Sequence, residues 1–398
     1  MKNLNTYKVF KKKVLFRADL NVPLVNGKIT DYSRVNSIIP SIKKLTDNKN
    51  KVFIISHYGR PKVQVSKKYS LRFLYKELKK ILKIPKIYFL ETFDNELIRD
   101  KISQMKDGEV CLFENIRFNA GEELNNLNFA KSLSSNFDIF VNDAFSASHR
   151  NHASIVGISN FLPSLAGLSL IKEINNLDNF LKKVEKPNLA IIGGSKISTK
   201  IKVINNLIEL FDTVVIAGAM ANTFLFSNNI NIGVSLVEKD HIEIAKQIQN
   251  KAKLSNCKII LPIDVVCSKN LSDEDNIRNC KVDNIFNEHM VLDIGEQTSK
   301  LIYHEILKSR SVLWNGPLGA FEHKPFEKSS IFVANTINKY SKNLKIKTMA
   351  GGGDTIAVIN LAKAKNGFDY LSNAGGAFLE WLEGNKSPGV LALENNKT

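Results

Sequence analysis

Residues 189–200, LAIIGGSKISTK, pass from an apolar run through two glycines to a lysine pair, Lys196 and Lys200, four positions apart. An apolar run that breaks at glycine ahead of a helical pattern is the strand-to-helix turn of an α/β sheet. There, bare backbone amides and the helix dipole both favour an anion. The spacing predicts that the two ammonium groups project to one side of a helix, with phosphate as their guest.

The same pattern recurs on both sides of this turn. In the second half, predicted strands at 189–192, 213–216, 258–261, 312–314, 347–349 and 370–371 run into GGSK, AGAMANT, PIDVV, NGPLGAFE, AGGGDT and SNAGGA. Glycine dominates these endings, so main-chain amides are expected to line the site. Gly351, Gly352 and Gly353 permit close approach to a polyphosphate, and Asp354 beyond them is placed to hold a divalent cation, magnesium, bridging phosphate oxygens.

In the first half, predicted strands at 14–16, 52–55, 110–113 and 139–141 lead into ADLN, SHYGRP, ENIRF and NDAFSASHR. Strands alternating with longer helical segments give an α/β class with parallel sheets. Such sheets bind ligands beyond the carboxyl ends of their strands. One crevice is therefore predicted to gather Asp19, Asn21, His57, Arg60, Arg117 and Arg150, with Arg34 from the segment after the first loop. The turn at Gly59, Arg60 and Pro61 aims His57 toward it. Guanidinium forks bind carboxylate or phosphate in pairs of hydrogen bonds, while Asp19 and Asn21 can hold hydroxyls. The set suits a phosphorylated hydroxy acid.

With 398 residues the chain exceeds the usual reach of one core, so two domains are expected. Its 43% hydrophobic and 24% charged residues are ordinary for a globular protein. The net charge of +17 raises the possibility of a nucleic-acid partner, but the lysines spread along the whole length rather than forming a stripe, and no specific nucleic acid is expected. Cys111, Cys257, Cys267 and Cys280 have neither metal-ligand spacing nor a disulfide framework, which fits reduced thiols in the cytoplasm. The N-terminal MKNLNTYKVFKKKVLF lacks a secretory signal. The longest charge-free stretch, 155–171, contains Asn160 and Pro163 and reads as buried core, so no membrane association is expected. A GxxxxGK[ST] loop, a GxGxxG fingerprint and the HRD and DFG motifs are all missing, so a nucleotide enzyme here uses another architecture.

Together FRADLNVPL, GKITDYSRV, SHYGRPK, LFENIRF, FVNDAFSASHRNHAS, AIIGGSKISTKI, GAMANTF, LPIDVV, VLWNGPLGAFE, GGGDT and NAGGAFLEWLEGNKSPGVLAL resemble the phosphoglycerate kinase family, over about 14–393. The resemblance implies two doubly wound, Rossmann-like parallel-sheet domains. One, 1–168, binds 3-phosphoglycerate or 1,3-bisphosphoglycerate, and the other, 187–387, binds Mg-ADP or Mg-ATP. A hinge helix at 169–186 joins them, and the tail 388–398 returns to the first. It implies reversible in-line phosphoryl transfer after domain closure, in a cytoplasmic monomer. By motif position, Asp19, Asn21, Arg34, His57, Arg60, Arg117 and Arg150 hold the three-carbon acid, and Arg34 also reaches the phosphoryl group. Lys200, Gly218, Asn315, Glu322 and Gly351, Gly352, Gly353, Asp354 and Thr355 serve the nucleotide, with Asp354 on magnesium. Lys196 and the amides of Gly353, Gly375 and Gly376 neutralise the group in transit.

The chain departs from the family pattern in three places. Ala217, Gly218 and Ala219 stand for a triple glycine, which adds methyl groups where the adenine is expected. FSASHR stands for FGTAHR, and Ala374 opens the last glycine triplet. Two other readings, a nicotinamide-dependent dehydrogenase and a non-enzymatic polyanion binder, rest on the glycine turns alone and on bulk charge alone.

Overall fold

The computed structural model describes residues 1–61, 63–84, 86–273 and 276–396. The chain divides into two compact units, Met1–Asn175 with the segment from Lys386 onward, and Asn176–Asn385.

The first unit contains β1 (Lys13–Arg17), a short antiparallel hairpin of β2 (Leu24–Val25) and β3 (Lys28–Ile29), then β4 (Lys51–Ile55), β5 (Ile87–Leu90), β6 (Val110–Phe113), β7 (Ile139–Asn142) and β8 (Ser164–Ala166). Six of these form a parallel sheet in the order β5-β6-β4-β1-β7-β8. The strands are unbroken apolar runs because both faces are covered. Val14, Phe16, Val52, Ile54, Val110 and Leu112 pack on one side, and Leu15, Phe53, Ile55, Phe113 and Phe140 on the other.

The second unit contains β9 (Asn188–Ile192), β10 (Thr213–Ile216), β11 (Lys258–Ile260), β12 (Asp264–Ser268), β13 (Arg278–Lys281), β14 (Met290–Ile294), β15 (Ser311–Asn315), β16 (Lys347–Gly351) and β17 (Tyr370–Ser372). Its parallel sheet runs β11-β10-β9-β15-β16-β17, around a core that includes Leu189, Ile191, Val312 and Trp314. β13-β12-β14 form a separate antiparallel sheet.

The β2–β3 hairpin, β5 and β8 at the sheet edges, and β12–β14 escape the sequence reading. β2 and β3 have two residues each and β8 three, and β13 has no buried residue, so no apolar run announces those four. The helix expected at 169–186 is Leu168–Lys182. It stops short of Pro187, which favours extended backbone in the residue before it and leads directly into β9. The division between the units falls inside this helix. After the helix Pro388–Asn395, Asn396 Nδ2 donates to Ser159 O at 2.7 Å and to Leu162 O at 3.1 Å. The charge-free stretch 155–171 folds into a 3-10 turn, β8 and the start of a helix. Among the described residues no helix is long and apolar enough to cross a membrane.

Candidate active site

In the first unit the four predicted loops follow β6, β4, β1 and β7, which are consecutive neighbours in the sheet, so their polar residues emerge along one edge. Asp19 sits just past β1. Its Oδ2 accepts from Arg34 Nη1 at 2.6 Å and from the Ser146 hydroxyl, and its Oδ1 accepts from the Asn21 amide at 3.1 Å. Burial pushes this carboxyl up, but the Arg34 guanidinium first, with the Ser146 hydroxyl and the Asn21 amide, outweighs it and holds the group down at about 2. Asn21 Oδ1 accepts from the Gly59 amide at 3.0 Å, and Arg117 Nη1 donates to Gly59 O at 2.6 Å, so the turn carrying His57 is clamped from both sides.

Cations outnumber anions on this face. Arg117 is 4% exposed with Nε 3.0 Å from Glu123, yet its Nη2 is buried with no hydrogen-bond partner among the described residues. Burial and then Arg150 lower its guanidinium to about 10. Arg150 is half-buried, and after burial itself the exposed Arg60 is the strongest influence lowering it. Guanidinium groups that depress one another, one with an orphaned nitrogen, are an arrangement that an anion with more than one charge would relieve.

In the second unit the expected lysine helix is absent: the helix is Ile201–Leu210 and begins after both lysines. Lys200 keeps φ at −132°, outside the helical range, so the pair does not share a helix face. Instead the two lysines separate by environment. Lys196 is exposed. Lys200 is buried, and its Nζ donates to Gly193 O and, at 2.7 Å, to Asn315 Oδ1. Burial lowers it to about 8, against a pull from Asp354.

A cavity of about 420 Å³ opens beside this turn, within the range of small-molecule sites. Gly218, Ala219, Leu236, Phe321, Glu322 and Asp354 are among its lining residues. Gly218 has φ +70°, and a Cβ there would lie 2.6 Å from Gly194 O, so glycine is required. Ala217 is fully buried in the core, and only the Ala219 methyl reaches the cavity, which halves the expected crowding. Two further sequence candidates, Asn315 and Thr355, act as braces. Asn315 Nδ2 donates to Gly351 O at 2.7 Å, and Thr355 Oγ1 accepts from the Gly316 amide at 2.7 Å and donates to Gly351 O at 2.9 Å. They fix the glycine loop that ends β16.

Helices Gly353–Leu361 and Gly375–Leu382 start at glycines where an added Cβ would meet nothing within 4 Å, so their first amides are open, with Gly352 just before the first and Gly376 exposed in the second. Asp354 is exposed in the first turn of the former.

The phosphoglycerate kinase family model matches residues 4–385. The chain belongs to the phosphoglycerate kinase family. It is 41% identical over 393 residues to the phosphoglycerate kinase of Brucella abortus, covering 99% of each chain. It is 42% identical over 382 residues to that of Methylorubrum extorquens, covering 96% of this chain and 95% of the other. The phosphoglycerate kinase structure from Coxiella burnetii aligns with TM-score 0.87 and 34% identity, over 100% of this chain and 99% of the other. The Pyrococcus horikoshii enzyme aligns at 0.83 with 28% identity, over 99% and 98%. The reaction of phosphoglycerate kinases is the reversible glycolytic phosphoryl transfer between 1,3-bisphosphoglycerate and ADP.

The sequence reading missed polar residues behind and beside the acid site. Arg17 is buried at the end of β1, within hydrogen-bond reach of His57. Glu122 is fully buried and accepts from Ser154. Ser146 touches Asp19. Arg17 was legible as a charge that directly closes the apolar run 14–16. Nothing local marked Glu122. Asp293, on the cavity wall, is a further buried acid. Burial raises it to about 7, while Ser329 donates to it from its hydroxyl and, at 3.1 Å, from its amide.

Proposed function

We propose that the edge loops of the first unit bind 3-phosphoglycerate or 1,3-bisphosphoglycerate, and that the second unit binds ADP or ATP in the cavity beside Gly218. The carrying observation is the orphaned, buried Arg117 Nη2 among guanidinium groups that depress one another. Burying donors unpaired is costly unless a ligand completes them. In this reading Arg60, Arg117 and Arg150 grip the anionic ends of the acid, Asp19 and Asn21 orient its hydroxyl, and Arg34 reaches the moving phosphoryl group.

In the second unit Ala219, Leu236 and Phe321, which line the cavity, form the apolar wall for the base, and Glu322 of the same lining takes part in holding the nucleotide. The open amides at Gly353, Gly375 and Gly376, with the exposed Lys196, meet the terminal phosphate. Lys200 backs the phosphate chain from below. Mg2+ fits Asp354: a phosphate-bridging Mg2+ needs only one or two protein carboxylates, and Asp354 is exposed on the cavity side at a helix start. The ion neutralises phosphate oxygens when bound.

Transfer needs no covalent enzyme intermediate. The protein positions donor and acceptor in line and spreads donors around the charge that develops. Since acid and nucleotide are held by different units, the units close together for reaction, and closure keeps water from the acyl phosphate. The test is a coupled assay of ATP plus 3-phosphoglycerate, read as loss of NADH through glyceraldehyde-3-phosphate dehydrogenase. A strongly raised KM for the acid in Arg117→Ala and in Arg150→Ala, at unchanged KM for ATP, supports the assignment. A raised KM for ATP alone refutes it.

A further inference from the structure

Arg17 closes β1 with a guanidinium that is only 1% exposed. Its Nε donates to Ser154 Oγ at 2.9 Å, its Nη1 to Ala18 O, and its Nη2 lies 3.2 Å from His57 Nδ1. A guanidinium has donors and no acceptor. His57 Nδ1 therefore accepts, the ring proton sits on Nε2, and the imidazole is neutral. No described residue partners Nε2, although the ring is 6% exposed and lies among the ligand-facing loops. Behind Arg17 the chain of donors continues: the Ser154 hydroxyl donates to Glu122 Oε1 at 2.7 Å and its amide to Oε2 at 2.9 Å. His152 Nδ1 stands 3.5 Å from the same carboxylate. The buried charge of Arg17 is thus balanced from behind, while its forward nitrogen is committed to one atom of His57.

We propose that Arg17 is a positioning residue that locks His57 in the Nε2–H tautomer, making the imidazole solely a hydrogen-bond donor to an anionic oxygen of the acid. The proposal rests on the reading of this face as the acid site. The charged groups facing the ring are Arg17 at the end of β1 and Asp19, Arg117 and Arg150 from the loops after β1, β6 and β7, three cations and one anion. Burial first and then Arg17 push the imidazole well below its usual range, so the lock holds as the solution is acidified. A free histidine would change both charge and donor pattern in that window.

The test begins with the full, ligand-free chain carrying 15N-labelled histidine. From about pH 5.5 to 8, His57 is expected to show an unprotonated Nδ1 and a protonated Nε2 throughout. Protonated Nδ1, or titration of the ring near its ordinary value of about 6.5, overturns the proposal. The double substitution Arg17→Met with Glu122→Gln removes both buried charges together, so neither is left unpaired. It is expected to give a mixture of tautomers and a KM for 3-phosphoglycerate about ten-fold higher at neutral pH, as for loss of one hydrogen bond to a charged group. That KM then becomes pH-dependent, falling as the ring gains charge, with kcat changed far less. A double variant with the native tautomer and a pH-flat, native KM overturns it, and if the variant fails to fold the wild-type spectrum decides. Finally, 3-phosphoglycerate should shift the Nε2 resonance. A silent Nε2 in a protein that binds the acid overturns the donor role, whereas no binding of the acid at this unit overturns the site assignment and leaves the tautomer lock standing.

Discussion

In the proposed function the two units solve anion recognition with different materials. The first would meet its ligand with side chains, guanidinium groups of which Arg34 is pinned by Asp19 and Arg117 by Gly59. The second would meet its ligand with main chain, at helix starts and glycine turns braced by Asn315 and Thr355. Side-chain sites can be dismantled one residue at a time, because truncating an arginine leaves the backbone in place. Main-chain sites cannot, because adding an atom to a glycine disturbs the loop itself.

The largest effect should come where both kinds of site converge on the moving phosphoryl group. Arg34→Ala and Lys196→Ala are each expected to lower kcat by about 10²–10³-fold, the usual cost of removing one preorganised charge-stabilising donor. Arg34 is half-buried and Lys196 exposed, so melting temperatures should hardly move. Wild-type turnover in either variant removes that residue from the mechanism. Next comes a direct contrast in material. Gly218→Ala forces a methyl to 2.6 Å from Gly194 O at φ +70° and should destabilise the second unit by roughly 1–3 kcal/mol. ATP affinity should fall with it while 3-phosphoglycerate affinity stays native, both read by calorimetry. Native ATP binding in that variant would break the claim that this site is built from backbone.

The same contrast explains what the sequence made legible. The proposed acid site could be assembled from the sequence because its chemistry is carried by residue type: Asp19, His57, Arg117 and Arg150 follow apolar runs that became neighbouring strands. The proposed nucleotide site was readable only as a density of glycines. Which amides are open depends on φ values and on where helices begin. The placement of Lys196 and Lys200 on one helix failed for that reason, since the turn persists through Lys200. Asn315 and Thr355, expected at the ligand, also hold the glycine loop, a role set by strands β15 and β16 lying side by side and not visible in the sequence. The network that joins Arg17 to Glu122 stayed hidden because it links residues more than a hundred positions apart, as in the bond from Arg17 to Ser154.

Lys200 sharpens the comparison through pH. Burial depresses its ammonium from 10.5 to about 8, so the nucleotide-free protein releases this proton as pH rises through 8. An arriving phosphate favours the charged form and pulls the proton back. At pH 8, where the group is half ionised, ATP binding should therefore take up roughly half a proton, vanishing well below pH 7. Calorimetry in buffers of different ionisation enthalpy measures it directly. The sign for stability follows as well: with the folded value below the unfolded one, the unfolded chain holds more protons between pH 8 and 10.5, so Lys200 contributes stability that is complete above that window and lost as pH falls through it. Zero proton uptake at pH 8 would mean that Lys200 does not sense the phosphates.

The smallest effect is expected at Ser146, where this chain departs from the glycine of its family pattern. The hydroxyl donates to Asp19 Oδ2, the same oxygen that accepts from Arg34 Nη1. Two donors on one oxygen fix the carboxylate but compete for its lone pairs, leaving Oδ1, shared with the Asn21 amide, as the edge with capacity for a substrate hydroxyl. Ser146→Gly removes one restraint while Arg34 remains, so the cost is one hydrogen bond already partly redundant. KM for 3-phosphoglycerate should change by no more than about threefold, in keeping with a contribution near the low end for a single hydrogen bond, and kcat should be unchanged because Ser146 does not approach the transferring group. If kcat falls as far as in Arg34→Ala, then Ser146 is holding Arg34 in its working position through Asp19, and the first unit depends on its supporting contacts as heavily as the second depends on its glycines.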